Sequence, residues 1–288
     1  MMNPFSSRCC QHNHVAGWVY YSEYAWMATP DNGLAAQLYF DNEVKAKVGN
    51  GAAVKLSQTT KYPFDENVAI TLSTVKPVAF PLYFRVPAWC AAPELTVNGK
   101  KVTLPPVAKG YIRVQQTWKT DDKIALRFPM TLSVRTWERN KNSISVNYGP
   151  LTYSLLIKEN YVQQDSKATA IGDSRWQDGA DPAKWPSFEI LPASDWNYGL
   201  IVNAADPAAS FEVVRKSWPA DDNPFTNTNA PITLKAKGKK IPSWGIDKYG
   251  LTGVLPQSPV KTEEAVTPLV LVPMGGARLR ISAFPVVM

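Results

Sequence analysis

The sequence has few cysteines and histidines, the residues that bind zinc most often, and only cysteines can form disulfides. It contains three cysteines and two histidines in 288 residues, and three cysteines do not make a disulfide framework. The most apolar stretch, Val15–Ala28, is too short to span a bilayer, which needs about 20 residues, so we expect no membrane partner. Met1–Ser7 lacks the charged and apolar regions of a signal peptide, which leaves the cellular compartment open.

Strong charge is also lacking. The net charge is +7, and the densest basic run, Lys235–Lys240, is typical of a solvated strand edge that lysines protect from aggregation. No nucleic-acid-binding motif accompanies that run, so we expect no nucleic-acid partner. Ten tryptophans, twelve tyrosines and twenty-four prolines favour an all-β protein with many rigid loops.

Both histidines flank a pair of adjacent cysteines, in the order Cys9, Cys10, His12 and His14. Asn13 is a good N-cap residue and predicts a helix that begins near His14. Cys9 and Cys10 would then lie just outside the helix N-terminus, where free amides and the macrodipole favour a thiolate. A thiolate is both a nucleophile and a zinc ligand, so chemistry is expected here.

Simpler interpretations of the cysteines stay open. The pair could be two thiols packed at a helix start. A structural zinc site that combined the pair with both histidines is disfavoured, because four ligands so close in sequence would strain the backbone. Cys90 lies beside a predicted strand and is expected to be a small buried hydrophobe.

The stretch after the cysteines predicts a helix without a polar face. Eleven of the fourteen residues in Val15–Ala28 are apolar or aromatic, and such a helix needs neighbours on all sides. Nothing later in the chain could supply a helical shell. We therefore expect Trp18, Tyr21 and Trp26 to be exposed or covered by another chain, which makes a homo-oligomer one possible outcome.

From Asp31-Asn32-Gly33 onward, a turn signal, the hydrophobic period changes from helical to strand-like. The Asn98-Gly99 pair predicts a hairpin with a type I′ turn. Asn160–Tyr198 and Pro242–Thr267 are expected to be mostly loop. The strands that we predict are Leu34–Phe40, 53–59, 68–72, 82–86, 95–97, 101–103, 111–115, 123–128, 132–137, 143–147, 151–157, 200–202, 211–214, 232–236, 269–272 and Leu279–Phe284.

This pattern predicts a mainly β protein with two antiparallel β-sandwich, jelly-roll-like domains preceded by one helix. We place the first sandwich at residues 33–130 and the second, with long loop insertions, at 131–288. Residues 1–32 then carry the preceding helix.

Several short motifs occur in a characteristic order along the chain. They are Cys9-Cys10 with Asn13, Trp26–Gly33, Tyr62–Asp65, Phe84–Trp89, Val97–Gly99, Gly110–Ile112, Tyr148–Leu151 and Trp196–Leu200. In these motifs the chain resembles glycoside hydrolase family 127 and its relatives, the β-L-arabinofuranosidase-like enzymes.

The resemblance implies an (α/α)₆ catalytic barrel followed by β-sandwich domains, with residues 1–32 as the barrel's last helix. It implies that Cys9 is the nucleophile and that Cys9 and Cys10 bind zinc, while His12, Asn13 and His14 would contact the sugar or support the site. The substrate would be an arabinose-containing or related glycan, cleaved with retention of configuration.

Two features depart from the family pattern. Gln11 and His12 replace two prolines, and the other zinc ligands and the acid/base glutamate precede the cysteine pair in the family. Only eight residues precede it here, whereas twelve helices with loops need roughly 200. We therefore expect a C-terminal part of such an enzyme, with incomplete zinc binding and no activity by itself.

The alternative is a non-catalytic carbohydrate-binding or interaction module that keeps the cysteine pair as a remnant. Loop aromatics could form a stacking platform for sugar rings, although anchoring of the loops by burial is the favoured interpretation. The aromatic residues of this platform would be Trp176, Trp185, Trp196, Tyr198, Trp218, Trp244 and Tyr249.

Asp31, Glu66, Glu138 and Asp173 lie in no motif that would bring them together as a catalytic pair.

Overall fold

The structure, a computed structural model, describes residues 8–104, 110–170, 176 and 179–288. The chain divides into two compact units: the first is Cys9–Met130, and the second contains Thr131–Met288. The described part of the chain is mainly β with one α-helix, which confirms the predicted fold class. The division into functional domains stays a prediction.

The single helix, α1, runs from Arg8 to Glu23. Its start corrects the predicted N-cap, because Asn13 lies inside the helix and Cys9 and Cys10 belong to its first turn. Its end corrects the predicted helix over Val15–Ala28, because Trp26–Ala28 is a strand. The reason is burial: the Trp26 side chain is 8% exposed, and its indole N–H donates to Asn42 Oδ1 at 2.8 Å.

The apolar residues of α1 whose side chains the structure describes are largely exposed. Trp18 is 65% exposed and Tyr21 is 45% exposed, as predicted, although Tyr21 contacts Phe40 at 5.2 Å between ring centroids. The same expectation for Trp26 is wrong, since its side chain packs in the first unit. Within the described part of the chain, no helix has the length and apolarity needed to cross a membrane.

In the first unit, the described residues form ten strands in two sheets. The four-stranded sheet has the order β1-β2-β6-β9, and the six-stranded sheet has the order β3-β4-β5-β10-β7-β8. All pairs are antiparallel except β2 with β6. The strands are β1 (Trp26–Ala28), β2 (Leu34–Ala36), β3 (Asn42–Val48), β4 (Ala52–Thr60), β5 (Asn67–Thr74), β6 (Val78–Arg85), β7 (Glu94–Val97), β8 (Lys100–Lys101), β9 (Tyr111–Trp118) and β10 (Lys123–Arg127).

Alternating side chains from both sheets form the core of this sandwich. Leu56 and Leu72 of the larger sheet and Phe84 of the smaller one are fully buried in one cluster. Trp118 is buried with them, and its indole N–H donates to the Phe80 carbonyl at 2.9 Å. A buried indole needs such an acceptor, because an unpaired N–H in a core is costly.

Two tight turns follow the sequence signals closely. Asn98 and Gly99 have φ of 51° and 75°, the positive values at both central positions that a type I′ turn requires, and they join β7 to β8 as predicted. Asn32 also has positive φ, 58°, in the predicted turn between β1 and β2.

The second unit is built on one seven-stranded sheet and a separate two-stranded ladder, β14-β15. The main path is β11-β12-β13-β19-β18-β16, with β17 also pairing with β18. All these pairs are antiparallel. The strands are β11 (Leu132–Trp137), β12 (Ser143–Tyr148), β13 (Leu151–Leu155), β14 (Glu159–Gln164), β15 (Ser187–Pro192), β16 (Tyr198–Leu200), β17 (Glu212–Arg215), β18 (Ile232–Lys240) and β19 (Thr267–Pro273).

Two predictions for this unit are wrong. Asn160–Tyr198 contains the β14-β15 ladder, in which the rings of Tyr161 and Phe188 meet across the two strands with centroids 6.1 Å apart. Leu279–Phe284 is irregular instead of a strand. Its last residue forms an isolated bridge to Ile144 of β12, and the following Val286 bridges Leu200 of β16. The C-terminal segment therefore connects strands that are distant in the sheet order, so the sheet curls.

Stability of the first unit should decrease above pH 10. Tyr39 is 2% exposed, and burial raises its pKa far above the ordinary value of 10.0. Because the unfolded state ionises first, the tyrosine's contribution is fully present below pH 10. It is then lost at up to about 1.4 kcal/mol per pH unit. Urea unfolding between neutral and strongly alkaline pH measures this loss. Tyr39→Phe should flatten the decline, and an unchanged slope would contradict the assignment.

Candidate functional site

The cysteine pair and both histidines lie on one helix, because α1 begins at Arg8. Helical spacing places positions 10 and 14 one turn apart, as are positions 9 and 13. The side chains of Cys9, Cys10 and His12 lie outside the described residues, so their predicted roles are untested. Asn13 and His14 are exposed.

His14 makes a local contact along the same helix. The indole N–H of Trp18 donates to His14 Nε2 at 3.4 Å, and the two rings meet edge to face with centroids 6.2 Å apart. The i, i+4 spacing produces this pair. Nε2 therefore already accepts a weak bond from the protein, and a ligand at that nitrogen would have to displace it.

A zinc ion fits the donor types of the cysteine pair, but the described part of the chain adds no further ligand set. Among the side chains that the structure describes, no three or more of His, Cys, Asp and Glu are grouped as a metal site. Cys90 is buried, as predicted, and burial raises the pKa of its thiol. A protonated core thiol is not available as a zinc ligand.

An exposed polar network lies on the outer face of the four-stranded sheet. Tyr83 of β6 donates to Asp31 Oδ2 at 2.7 Å, and Arg113 of β9 donates to the same oxygen at 3.3 Å. Arg113 Nε also donates to the Tyr83 hydroxyl oxygen at 2.9 Å. Hydrogen bonds from Thr29 and then Tyr83 lower the pKa of Asp31. Asp31 is therefore an anion at neutral pH and unsuited to act as a general acid.

The predicted carboxylates are held in separate contacts. Glu66 forms an ion pair with Arg127 at 3.0 Å and accepts from the Met130 amide at 2.9 Å, whereas Asp31 is bound by Arg113. Glu138 is exposed, and Asp173 lies outside the described residues. Asp31 and Glu66, each bound to its own arginine, are not arranged as a shared acid/base pair.

Sequence reasoning missed Tyr83 and Arg113 as partners of Asp31. They are directly opposite each other across β6 and β9, so they share a face by the strand period of two. The pairing of those two strands was the missing information.

Two of the loop aromatics anchor loops. Trp244 is buried, donates from its indole N–H to the Gly253 carbonyl at 3.2 Å, and packs edge to face against Trp196 at 5.2 Å. Trp185 and Tyr249 are exposed, so the anchoring interpretation holds for Trp196 and Trp244 but not for every member.

The fold is that of a mainly β protein of two units, and the first unit begins with a helix that carries a cysteine pair. Residues 33–130 match the family described as Beta-L-arabinofuranosidase, GH127 middle domain. This match confirms the resemblance drawn from the sequence motifs. No curated protein is significantly similar to the chain in sequence.

Solved structures extend the likeness in fold to nearly the whole chain. One is a GH127 beta-L-arabinofuranosidase from Geobacillus stearothermophilus T6, with 20% identity, a TM-score of 0.62, and coverage of 96% of this chain and 36% of that chain. A second, called glycoside hydrolase, has 23% identity, a TM-score of 0.62 and coverage of 99% and 40%. A GH127 beta-arabinofuranosidase has 16% identity, a TM-score of 0.62 and the same coverage. The chain thus spans less than half the length of these relatives.

Proposed function

We propose that the chain is the C-terminal part of a retaining, β-L-arabinofuranosidase-like glycoside hydrolase that uses Cys9 as its nucleophile. The observation that carries this proposal is the match of residues 33–130 to the GH127 middle domain. The cysteine pair precedes this segment in the order that the resemblance implies. An arabinose-containing glycan is the substrate class of this proposal.

In the proposed reaction the Cys9 thiolate attacks the anomeric carbon while the bond to the leaving oxygen breaks. The leaving oxygen takes a proton from the acid/base glutamate, which in the family precedes the cysteine pair and is not among the motifs named for this chain. Water then displaces the sulfur and gives its proton to the same glutamate, so two inversions give net retention. Zinc, when bound, would keep the thiol ionised. The free amides and the dipole at the N-terminus of α1 would also stabilise the ionised thiol.

Cys10 would be the second zinc ligand from this chain. His12, Asn13 and His14 remain proposed as sugar contacts or supports of the two cysteines. The position of all five on α1 supports a shared location, since they lie within two turns of one helix.

The second candidate function is a non-catalytic carbohydrate-binding or interaction module. An open cleft in the second unit, lined by Trp137 and Arg135, favours this candidate. Self-association through exposed residues of α1 also stays a prediction, which Trp18 and Val19, each more than half exposed, support.

Zinc binding tests the assignment of the cysteine pair. We expect the purified chain to bind zinc weakly and below one equivalent, because two ligands are too few for a stable site. Cys9→Ala and Cys10→Ala should each lower the zinc affinity by more than about 10–100-fold, the loss typical of groups that only support ligands. Affinity should rise with pH, because the thiol ligands must be deprotonated.

Cys90→Ala is the matched control, because Cys90 is buried in the core of the first unit. It should leave zinc binding unchanged when measured by competition with a chromogenic chelator. Equal zinc affinity of the wild type and a Cys9→Ala, Cys10→Ala double variant would show that the pair is not the site.

A further inference from the structure

An open cleft of about 460 Å³ lies on the second unit beside strands β11, β12 and β13. Its size falls within the usual range of small-ligand sites, about 300–1,000 Å³. Polar side chains from the three strands line the cleft, and the apolar side chain of Met274 is also part of its lining. Among the described residues, no acidic side chain lines the cleft.

Trp137 gives this cleft an aromatic surface. Its side chain is 39% exposed, and its indole N–H donates to Ser145 Oγ at 3.0 Å, which fixes the ring. The guanidinium carbon of Arg135 lies 3.7 Å from the ring centroid. Because Arg135 is directly opposite Ser145 across β11 and β12, strand pairing brings the three groups together.

Arg135 differs from Arg113, Arg127 and Arg278, which all contact carboxylates. Arg113 and Arg127 are each paired with a carboxylate, and Arg278 contacts Glu159 at 3.7 Å. Among the described residues, Arg135 has neither an ion pair nor a hydrogen-bond partner. The indole restrains its planar guanidinium group. Because of this restraint, Arg135 loses less conformational entropy on binding a carboxylate than a freely moving side chain would lose.

The lining of the cleft includes an oriented amide and two hydroxyl groups, those of Asn147, Thr152 and Ser145. The Thr152 hydroxyl donates to Asn147 Oδ1 at 2.8 Å. This bond orients the amide and leaves its Nδ2 donors without a protein partner in the described part of the chain. Ser145 accepts from Trp137 and keeps its own hydroxyl proton for another acceptor.

We propose that this cleft binds a carboxylated sugar, a hexuronate unit of a glycan. The carboxylate would pair with Arg135, the sugar's apolar C–H surface would contact the exposed part of the Trp137 ring that Arg135 does not cover, and ring hydroxyls would bind Asn147 and Ser145. A neutral sugar would leave the arginine unpaired, and a simple anion would leave the indole and the amide unused. The site does not involve Cys9, so it is independent of the proposed hydrolase activity.

Indole-specific NMR of the full chain tests the proposal. The ten tryptophans give separable indole N–H signals, and Trp137→Phe assigns the signal of Trp137. The probes are glucuronate and galacturonate, with glucose and galactose as neutral counterparts and acetate as the simple anion. We expect a saturable shift of the Trp137 signal with at least one uronate. The dissociation constant should be at least about tenfold lower than that for its neutral counterpart, because charge-assisted hydrogen bonds are lost in the latter.

Arg135→Gln should raise the uronate dissociation constant at least about tenfold. The matched control Arg139→Gln, at an exposed arginine outside the cleft lining, should leave it unchanged. Equal affinity for the neutral sugar, reproduction of the shift by acetate, an equal effect of both arginine variants, or no saturable shift with either uronate would each overturn the proposal.

Discussion

Replacing Gly33 with alanine is expected to destabilise the first unit by about 3 kcal/mol or more. A Cβ at this buried position would lie 2.6 Å from Pro81 Cγ and 2.9 Å from Thr29 Oγ1, and still closer to the Pro81 carbonyl oxygen. The backbone cannot move away, because β2 starts at the next residue and pairs in parallel with β6. Calorimetry should show a fall in melting temperature of about 10 °C.

Gly17→Ala is the control for this experiment. A Cβ at Gly17 meets no atom within 4 Å, and alanine in a helix interior is favoured over glycine by about 1 kcal/mol. Helix content measured by circular dichroism should rise or stay constant, with no fall in melting temperature. If both glycine variants behaved alike, close packing at Gly33 would not be the cause.

The sandwich of the first unit could be predicted because its core strands alternate strictly. Leu56, Ile70 and Leu126 are buried, and the residues beside them in sequence are mostly exposed, so a period of two is visible in the sequence. Edge strands give a weaker signal. In β3 the inward residues Val44 and Ala46 are only half-buried, and the strand was not predicted.

The boundary between α1 and β1 shows where local patterns are insufficient. The sequence from Val15 to Ala28 is mostly apolar on both sides of Ser22 and Glu23, so the hydrophobic pattern alone did not indicate that the helix ends at Glu23. The end is decided by tertiary contacts, since Trp26 enters the sandwich core and pairs with Ala36. The ladder β14-β15 was missed for a different reason: much of it is exposed, so the alternation of apolar and polar residues is weak.

Candidate sites were predictable only where the residues are close in sequence. The cysteine pair is visible as a motif, whereas Asp31 meets Arg113 only through the pairing of β6 with β9. Arg135 and Trp137 are two residues apart, and the strand period alone places them on one face. The sequence does not reveal that Ser145 and Asn147 join them, because that depends on the register of β11 and β12.

The last prediction is that the 288-residue chain will not hydrolyse glycosides, although it contains the proposed nucleophile. The chain provides two of the four zinc ligands that the resemblance implies, and the described side chains contain no further metal cluster. Without general acid catalysis, the rate should also fall by a factor of ~10²–10⁴. Turnover of an aryl β-L-arabinofuranoside, measured by release of the aryl alcohol, should therefore equal the background.

Cys9→Ser separates this expectation from a merely slow enzyme. Since the wild-type chain should have no turnover to lose, the substitution should change neither the rate nor the melting temperature measurably. Cys10→Ser serves as the neighbouring control in the same turn of α1 and should behave identically. Robust turnover by the purified chain that Cys9→Ser abolishes would refute the prediction. In that case residues outside the assigned motifs would supply the missing ligands and the acid.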